Sequence, residues 1–451
     1  MPHHPQNIFP DTMRRVLVAG AGGVTGTAFC KLLNQNNIEV LALDQRELKP
    51  DNSLVKPILW DENFMPAEVL QQVDALSLTP GVPLSGELFQ LAKQKNVPLF
   101  TELEYAASFL TDEKCILISG TDGKSTTSAM VHHLLPGSWI GGNFGTPLSE
   151  YILRNKKHEH LVLELSSYQL ELCRNLSASC SLLLNIAPDH LDRYHDFTEY
   201  ANVKLSIQDH LGNDGLFITS QKVYQAHQPK HTTDKPTLLV DTDNLVVGKI
   251  SIVNNQLQDN ASTIVDLDKT SIQGKHNHSN LLFAMAAVAF LKPGVPASKT
   301  KELISSFKTL EHRYEKVGSD KQGNIYINDS KATTCQAAIQ AVNSAPGKTI
   351  WLIGGNPKGE DYNLLKSAIS SEVTAILFGP GAADLEAKLN FDCRYFKDLE
   401  EVIKFLVPMI KNGTISEHRI LLSPAMASFD SYPNYLERGK HFKELIQSLL
   451  V

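Results

Sequence analysis

Residues 119–126 read Ser-Gly-Thr-Asp-Gly-Lys-Ser-Thr and form the segment best suited to bind a phosphate chain. They follow an apolar run, 115–118, and precede a helix-like stretch, 125–135, which is the strand, glycine loop and helix order of a triphosphate-binding loop. Backbone N–H groups there can approach phosphate oxygens, Lys124 adds positive charge, and Ser125 can reach Mg2+. The segment lacks the first Gly of the strict Walker pattern, so a chance match is the alternative. The predicted phosphate-binding residues are Gly120, Thr121, Asp122, Gly123, Lys124, Ser125 and Thr126.

Two further side chains could serve the same chemistry as metal ligands. Glu164 lies inside the apolar run 161–165, where a carboxylate is costly to bury unless it is neutralised or binds a metal. We therefore consider it a candidate Mg2+ ligand opposite Ser125, and a solvated Glu on an edge strand is the alternative. His190 follows the next apolar run and is a candidate second metal ligand, although a single His of this kind also fits a structural role.

Three polar residues lie in or beside helix-like stretches and have ordinary explanations. Lys204 belongs to the stretch 197–211, where a lysine is expected to be solvated. Asn277 and Asn280 precede the apolar helix predicted over 281–291. They could cap that helix or hydrogen-bond an adenine or a ribose, and the residues alone leave both possibilities open.

The last third of the chain has polar clusters directly after strand-like runs. These clusters are 328–333, 354–359 and 423–429, with Arg313 at the entrance to the region. Cationic and hydroxyl side chains at strand ends would form a pocket for anions, and an acidic amino acid with two carboxylates would suit it. Surface charge without function is the alternative. The candidate residues are Arg313, Lys331, Thr333, Lys358 and Ser428.

The elements that must position these residues follow from the rhythm of apolar runs. Short apolar runs alternate with amphipathic stretches in the first hundred residues, which is typical of an open parallel α/β sheet. A glycine-rich turn at 20–26 follows the first run, and the second run ends at Asp44, near the offset of an acidic residue that binds a ribose. A nucleotide-binding domain is favoured. A tight turn without a ligand, or a dehydrogenase, would give the same pattern.

The rest of the chain repeats this organisation. The phosphate loop opens a second α/β block, in which the polar region 221–275 is predicted to contain short strands and loops, and a third α/β block begins near residue 312. We predict an α/β protein of three domains, each a mostly parallel doubly wound sheet, with a P-loop ATPase-like central domain. The predicted boundaries are 1–103, 104–309 and 310–451.

Composition restricts the partners. The 451 residues carry a net charge of -7 with a pI near 6.1, so no basic surface for nucleic acid and no polybasic stretch for a membrane is expected. The N-terminus lacks the apolar core of a signal peptide, and the longest apolar stretch, 281–291, is too short to cross a bilayer. A cytoplasmic protein is expected. The six cysteines form no CxxC pair, so neither disulfides nor a zinc site is indicated.

Taken together, the motifs resemble the Mur ligases of bacterial cell-wall synthesis. The matching segments occur in the family's order: GTDGKST, GGNFGTPL, LELSSYQLE, NIAPDHLDRY, GKHNHSN, EHRYE, NDSKATT, GGNPKG and LLSPAMASFD. LELSSYQLE and NDSKATT are similar to the D-glutamate-adding branch. The resemblance implies a first domain that binds the UDP of the substrate, a central ATPase domain and a third domain that closes the site. Asp122 and Asn356 depart from the family pattern, where Asn and Asp respectively are commoner.

The resemblance also implies roles for individual residues. ATP and two Mg2+ ions are the expected cofactors, and a monomer is expected to join D-glutamate to UDP-N-acetylmuramoyl-L-alanine through an acyl phosphate. Lys204 would be carbamylated and would support the metal, which reverses its ordinary interpretation. The implied metal ligands are Ser125, Glu164, His190 and Lys204. The implied nucleotide contacts are Asn277, Asn280, Arg313 and Asp329, with Lys331 on the acyl phosphate. The implied substrate contacts are Val24, Thr25, Asp44, Arg46, Asn143, Ser166, Thr333, Lys358, Ser428, Phe429 and Tyr435.

Several other functions remain as alternatives at this point. A sister ligase or a folylpolyglutamate synthetase would share the ATP loop and the carbamate lysine, although the first-domain turn and LELSSYQLE argue against folate. An NAD-dependent oxidoreductase would leave GTDGKST and the third block unexplained. A regulatory protein without catalysis would be expected to lack Glu164, Lys204 or Lys331, and all three are present.

Overall fold

The computed structural model describes residues 13–49, 54–189, 193–227, 234–344, 347–382, 385 and 393–450. Its internal contacts divide the chain into two compact units. Unit 1 comprises Met1–Gly248 and Leu282–Val295, and unit 2 comprises Lys249–Leu281 and Pro296–Val451. The division into three domains with the boundaries given above stays a prediction.

The first sheet of unit 1 is parallel, with strand order β3-β2-β1-β4-β5. Its central strands are almost fully buried, because helices cover both faces of a parallel sheet. The strands are β1 (Arg15–Ala19), β2 (Glu39–Asp44), β3 (Val55–Leu59), β4 (Ala75–Leu78) and β5 (Leu99–Phe100). The helices are Val24–Gln35, Pro66–Val69, Glu87–Gln94 and Glu102–Ala107.

The second sheet of unit 1 is also parallel, with strand order β11-β10-β9-β6-β8-β7. The strands are β6 (Lys114–Ser119), β7 (Trp139–Gly142), β8 (His160–Glu164), β9 (Ala178–Leu183), β10 (Leu211–Ser220) and β11 (Thr237–Val240), followed by the short strand β12 (Val246–Val247). The helices are Lys124–Leu134, Leu148–Arg154, Ser167–Leu170, Phe197–Leu205 and Gln221–His227. The helix-like stretch predicted over 197–211 is an α-helix over Phe197–Leu205 and a 3-10 helix over Ser206–His210, and Leu211 already opens β10.

Unit 2 begins with three antiparallel strands, which agrees with the short strands predicted over 221–275, although the helix Gln221–His227 was not predicted. These strands are β13 (Ile250–Val253), β14 (Gln256–Asp259) and β15 (Ser262–Asp266). The helix Lys275–Leu291 runs from unit 2 into unit 1, and Ala297–Ser306 follows it.

The third sheet lies in unit 2, with strand order β16-β17-β21-β18-β19-β20, and only β16 is antiparallel to its neighbour. Alternate residues of β18 pack into two apolar clusters: Trp351 and Ile353 into one, Ile350 and Leu352 into the other. This period of two is expected for a sheet covered on both faces. The strands are β16 (Glu315–Ser319), β17 (Ile325–Asn328), β18 (Thr349–Gly354), β19 (Val373–Phe378), β20 (Cys393–Phe396) and β21 (Arg419–Leu422). The helices are Cys335–Asn343, Leu399–Lys411 and Tyr435–Ile446.

These three mostly parallel sheets confirm the predicted α/β fold class. Among the described residues, no helix combines the length and apolar character needed to cross a membrane.

Candidate active site

The phosphate loop lies where the sequence predicted it, between strand β6 and the helix Lys124–Leu134. Hydrogen bonds fix the loop to the segment after β9. The N–H of Asp122 donates to Oδ1 of Asn185 (2.9 Å), and the Thr121 hydroxyl donates to the carbonyl of Ala187 (3.1 Å). Gly123 has a φ of +82°, a left-handed conformation that favours glycine, directly before the helix. The loop is therefore held in one conformation at a helix N-terminus, which suits an anion.

The Lys124 ammonium bends back over this loop. Its Nζ atom donates to the carbonyls of Gly120 (2.8 Å) and Thr121 (2.7 Å). Ser125 and Thr126 are buried in the first turn of the helix. The charge of Lys124 therefore lies against the loop that is predicted to receive the phosphates.

Glu164 ends strand β8, which lies between β6 and β7 in the sheet interior. Its side chain is buried, so the alternative of a solvated edge-strand residue is wrong. Its Oε1 atom accepts a hydrogen bond from Nδ2 of Asn143 (2.7 Å), whereas Oε2 has no hydrogen-bond partner among the described residues. A buried, unpaired carboxylate oxygen is costly, and a cation would remove that cost. The carboxylate therefore fits a Mg2+ ligand.

Asn143 approaches Glu164 through its backbone as well, because its N–H donates to the Glu164 carbonyl (2.8 Å). Gly142 makes this approach possible: its φ is +95°, and a Cβ at this position would lie 2.4 Å from the same carbonyl oxygen. Ser166 caps the helix Ser167–Leu170 by accepting the N–H of Gln169 (3.2 Å). The implied contacts Asn143 and Ser166 thus flank the candidate metal ligand.

Lys204 is only 2% exposed, so the expectation of a solvated side chain is wrong. Its Nζ atom donates to the carbonyl of Gly120 in the phosphate loop (2.8 Å) and lies 4.9 Å from the ring centroid of Tyr200. Burial, followed by the positive charge of Lys124, lowers the pKa of Lys204 well below its ordinary value. Since carbamylation requires a neutral amine, this environment suits the modification that the resemblance implies.

The remaining implied metal ligand, His190, lies outside the described residues. Within the described part of the chain, no group of three or more His, Cys, Asp and Glu side chains could hold a metal ion. A metal site in this region would therefore have to include Ser125 and a carbamylated Lys204 besides the carboxylate of Glu164.

The structure excludes one of the two interpretations of Asn277 and Asn280, namely that they cap the helix. The helix begins at Lys275 rather than at 281, so neither residue caps it. Nδ2 of Asn277 donates to the carbonyl of Gln273 (2.9 Å), and both asparagines are buried. Short polar side chains are weak helix formers, which is why the sequence suggested a later start.

In unit 2, the candidate nucleotide residue Asp329 follows strand β17 and is held on both oxygens. Its Oδ1 atom accepts the N–H of Tyr314 (3.0 Å), and Oδ2 accepts the hydroxyl of Ser423 (2.8 Å). Arg313 is half-buried beside Tyr314. The carboxyl ends of β17 and β21 therefore meet here, as expected for the ligand-binding edge of such a sheet.

Four of the implied amino-acid and acyl-phosphate contacts form two pairs at this edge. Lys358 Nζ donates to the hydroxyl of Thr333 (3.0 Å), and Lys331 Nζ lies 4.3 Å from the ring centroid of Tyr435. Ser428 is buried beside Phe429, which is 70% exposed. The backbone of Asn356 pairs with that of Ala427, so its backbone contact does not depend on its side chain.

The first sheet also brings its implied substrate contacts together. Asp44 is buried at the end of β2, where Oδ2 accepts the N–H of Gly22 (2.9 Å) and Oδ1 accepts Nε of Arg46 (3.0 Å). The Arg46 guanidinium lowers the pKa of Asp44. Val24 is exposed, and Thr25 lines a cavity of about 20 Å3 that also includes Tyr168 and Arg193.

Sequence reasoning missed two arginines near these sites, the half-buried Arg193 and the buried Arg438. Arg193 pairs with Glu171 (2.6 Å) and lies 4.0 Å from the ring centroid of Tyr168. Arg438 is fully buried on the helix Tyr435–Ile446. No pattern in the sequence distinguishes Arg438 from an ordinary surface arginine, because all its partners lie elsewhere in the chain.

Comparison with known proteins identifies the family. A family profile described as the Mur ligase middle domain matches residues 118–288. A UDP-N-acetylmuramoylalanine–D-glutamate ligase from Thermoanaerobacter sp. (strain X514) is 31% identical, covering 97% of this chain and 98% of that protein. A protein of the same name from Rickettsia prowazekii (strain Madrid E) is also 31% identical, with 94% and 96% covered.

A solved structure has the same fold. The MurF ligase from Thermotoga maritima in complex with ADP matches with a TM-score of 0.59 at 16% identity, covering 97% of this chain and 96% of that chain. The full-length similarity to curated relatives, together with the loop and buried side chains described above, shows that the chain belongs to the Mur ligase family.

Proposed function

We propose that this chain joins D-glutamate to UDP-N-acetylmuramoyl-L-alanine in an ATP-dependent step of peptidoglycan precursor synthesis. The observation that carries the proposal is its similarity, along nearly the whole chain, to relatives named for this reaction. ATP would phosphorylate the alanine carboxylate and release ADP. The D-glutamate amine would then attack the acyl carbon, form the amide, and release phosphate.

The residues around the phosphate loop would prepare the first step. Lys124 and the N–H groups of residues 120–126 would hold the phosphates, because they provide positive charge at a helix N-terminus. Ser125 and Glu164 would hold Mg2+, together with His190. The metal would spread the negative charge that develops as the phosphoryl group moves.

We also propose that Lys204 carries a carbamate. Its neutral amine would add to CO2 with loss of a proton, and the product anion would face the same metal region. Its contact with Gly120 and its burial support the proposal. An unmodified ammonium there would repel the magnesium ions.

Residues of unit 2 would complete the second step. Asn277, Asn280, Arg313 and Asp329 would contact the nucleotide, and Lys331 would neutralise charge on the acyl phosphate. The pair formed by Lys358 and Thr333 would take a carboxylate of D-glutamate, since a charged and a neutral donor lie within hydrogen-bond distance of each other. Ser428, Phe429 and Tyr435 would form the rest of that subsite.

The UDP-linked substrate would lie on the first sheet. Val24, Thr25, Asp44 and Arg46 would contact its uridine diphosphate, and Asn143 and Ser166 would contact the muramoyl part. In this proposal the protein works as a cytoplasmic monomer with domains 1–103, 104–309 and 310–451.

The direct test is ADP release with UDP-N-acetylmuramoyl-L-alanine, Mg2+ and ATP. We expect far faster release with D-glutamate than with L-glutamate, L-lysine or diaminopimelate. Heavy oxygen placed in the alanine carboxylate should appear in the released phosphate, because that oxygen leaves with it. Equal rates with both glutamate isomers would contradict the specificity, and unlabelled phosphate would contradict the acyl phosphate.

A further inference from the structure

Arg438 is a buried charge whose hydrogen bonds within the described part of the chain all go to neutral groups. Nε donates to the Ser330 hydroxyl (3.0 Å) and Nη2 to the Ser330 carbonyl (2.9 Å). Nη2 also donates to the Met426 carbonyl (3.0 Å), and Nη1 donates to the carbonyls of Ala427 (3.1 Å) and Gly354 (3.2 Å). One side chain thus uses its planar donor array to join three separate segments.

Those three segments are the ones that carry the proposed amino-acid site. Ser330 lies in the segment 328–333, Gly354 opens the segment 354–359, and the other two acceptors lie in 423–429. The first two segments begin at the last residues of β17 and β18, and the third follows β21; these three strands are adjacent in the sheet. Strand pairing fixes where each loop begins, whereas the contacts of Arg438 fix the loops themselves relative to one another.

The contacts also hold the backbone that carries two neighbouring residues. A peptide unit is planar, so a carbonyl held in one direction also fixes the N–H group and the Cα position of the residue that follows it. The Ser330 carbonyl precedes Lys331, and the Ala427 carbonyl precedes Ser428. Both following residues belong to the proposed site. Arg438 touches neither of their side chains in the contacts described above, but it holds the peptide that carries each.

The burial of Arg438 is close and complete. A Cβ atom at Gly355 would lie 2.8 Å from its Nη1 atom and 2.1 Å from the Ala427 carbonyl oxygen. Burial lowers the pKa of Arg438 to about 10, with Asp430 and Tyr432 acting in the opposite direction, so the guanidinium stays charged at neutral pH. Burying a charge without a hydrogen-bonded carboxylate costs free energy that an apolar side chain would not. The hydrogen bonds that the guanidinium donates to three segments give a physical reason for the buried arginine.

We propose that Arg438 is a positioning residue that sets the geometry of the D-glutamate and acyl-phosphate subsites by joining the loops after β17, β18 and β21. The inference rests on the proposed function. Lysine cannot replace arginine here, because a single ammonium has three donors on one atom and cannot reach acceptors on three loops at once.

The test compares Arg438→Lys and Arg438→Gln with the unmodified protein. For each we would measure kcat and the KM values for D-glutamate, ATP and UDP-N-acetylmuramoyl-L-alanine. We expect the KM for D-glutamate to rise by about tenfold or more, since small misplacements of a binding group have large effects. The other two KM values should stay within about twofold. Lys440→Gln is the matched control, because Lys440 is an exposed cation of the same helix that pairs with Glu437.

A purely structural role gives a different result. A partly unfolded enzyme has fewer active molecules, which lowers the apparent kcat but leaves every KM unchanged. Unchanged KM values for D-glutamate in both variants, with a lowered melting temperature, would therefore overturn the proposal. A rise of all three KM values together would overturn it as well.

A milder variant covers the case in which Arg438 cannot be replaced without loss of folding. Ser330→Ala removes the hydroxyl, which accepts from Nε of Arg438 and donates to the Tyr435 carbonyl (2.8 Å), but keeps the carbonyl contact with Arg438. We expect a smaller, selective rise of the KM for D-glutamate, and no selective rise would refute the proposal. If the unmodified protein fails to use D-glutamate at all, the proposed function fails before any variant is compared.

Discussion

Replacing Glu164 by glutamine should have opposite effects on stability and on activity. Glu164 is buried, and among the residues that the structure describes only its Oε1 atom has a hydrogen-bond partner, Asn143. The amide of glutamine can keep that contact through its oxygen while removing a buried negative charge. Without ligands, Glu164→Gln should therefore be as stable as the unmodified protein or more stable, by about 1 to 3 kcal/mol.

The cost should appear when metal and nucleotide bind. Two unit charges 4 Å apart attract by about 4 kcal/mol at an effective dielectric constant of about 20. That energy corresponds to roughly three orders of magnitude in rate or affinity. The amide oxygen retains part of the attraction, so we expect about a 100-fold loss of activity at limiting Mg2+.

The assay combines two measurements on each variant. Thermal unfolding is followed without ligands and with saturating Mg2+ and ATP, and ADP release is followed over a range of Mg2+ concentrations. We expect Glu164→Gln to lose most of the shift in melting temperature that Mg2+ and ATP produce, because the stabilisation by a ligand grows with the logarithm of its concentration divided by its Kd. Glu159→Gln is the matched control. Glu159 directly precedes β8, the strand that ends at Glu164, but its side chain is 69% exposed and pairs with Lys114.

Two results would refute the reasoning. An unchanged Mg2+ dependence in Glu164→Gln would mean that the free Oε2 atom does not face the metal. A large loss of stability in the ligand-free variant would mean that the carboxylate charge has a partner that the hydrogen bonds do not reveal.

Two further predictions concern Lys204 and His276. Lys204→Ala should lose most activity and regain part of it when short carboxylates are added, because these can replace the carbamate; full activity of the plain variant in the ADP-release assay would contradict the carbamate. Burial lowers the pKa of His276 from 6.5 to about 4, with His278 acting in the same direction. Between pH 6.5 and 4, His276 is therefore protonated in the unfolded chain but stays neutral in the folded protein. The free energy of unfolding should fall as the pH drops through this range, by at most about 3 kcal/mol. His276→Gln should be less acid-sensitive in unfolding measurements over that range, and an unchanged slope would contradict the assignment.

The sequence predicted the parts of the fold that depend on neighbouring residues. The apolar runs 15–19, 75–78 and 419–422, read as strands of an α/β pattern, are β1, β4 and β21 in the structure. Their apolar runs are bounded by polar or glycine turns, and this pattern is local. The edge strand Val55–Leu59 was not predicted, because its half-exposed and exposed positions interrupt the apolar run.

The phosphate loop was also predictable from local pattern, because glycine, lysine and hydroxyl residues must follow one another in this order to surround a phosphate. The same holds for the polar clusters at the strand ends of the third sheet. The residue types of these clusters and their positions after strands are visible in the sequence. The contacts that each side chain makes are not.

The burial and the hydrogen-bond partners of the charged residues depend on tertiary structure. Lys204 contacts Gly120, which lies 84 positions away, and that contact with its burial separates a candidate carbamate from a surface lysine. Arg438 reaches Ser330 across 108 positions. Burial and hydrogen-bond partners depend on which distant segments the folded chain brings together, and local periodicity contains no information about that. Local sequence patterns therefore account for the elements and for the loop after β6, whereas the burial of the charged residues and the contacts they make follow from the folded chain.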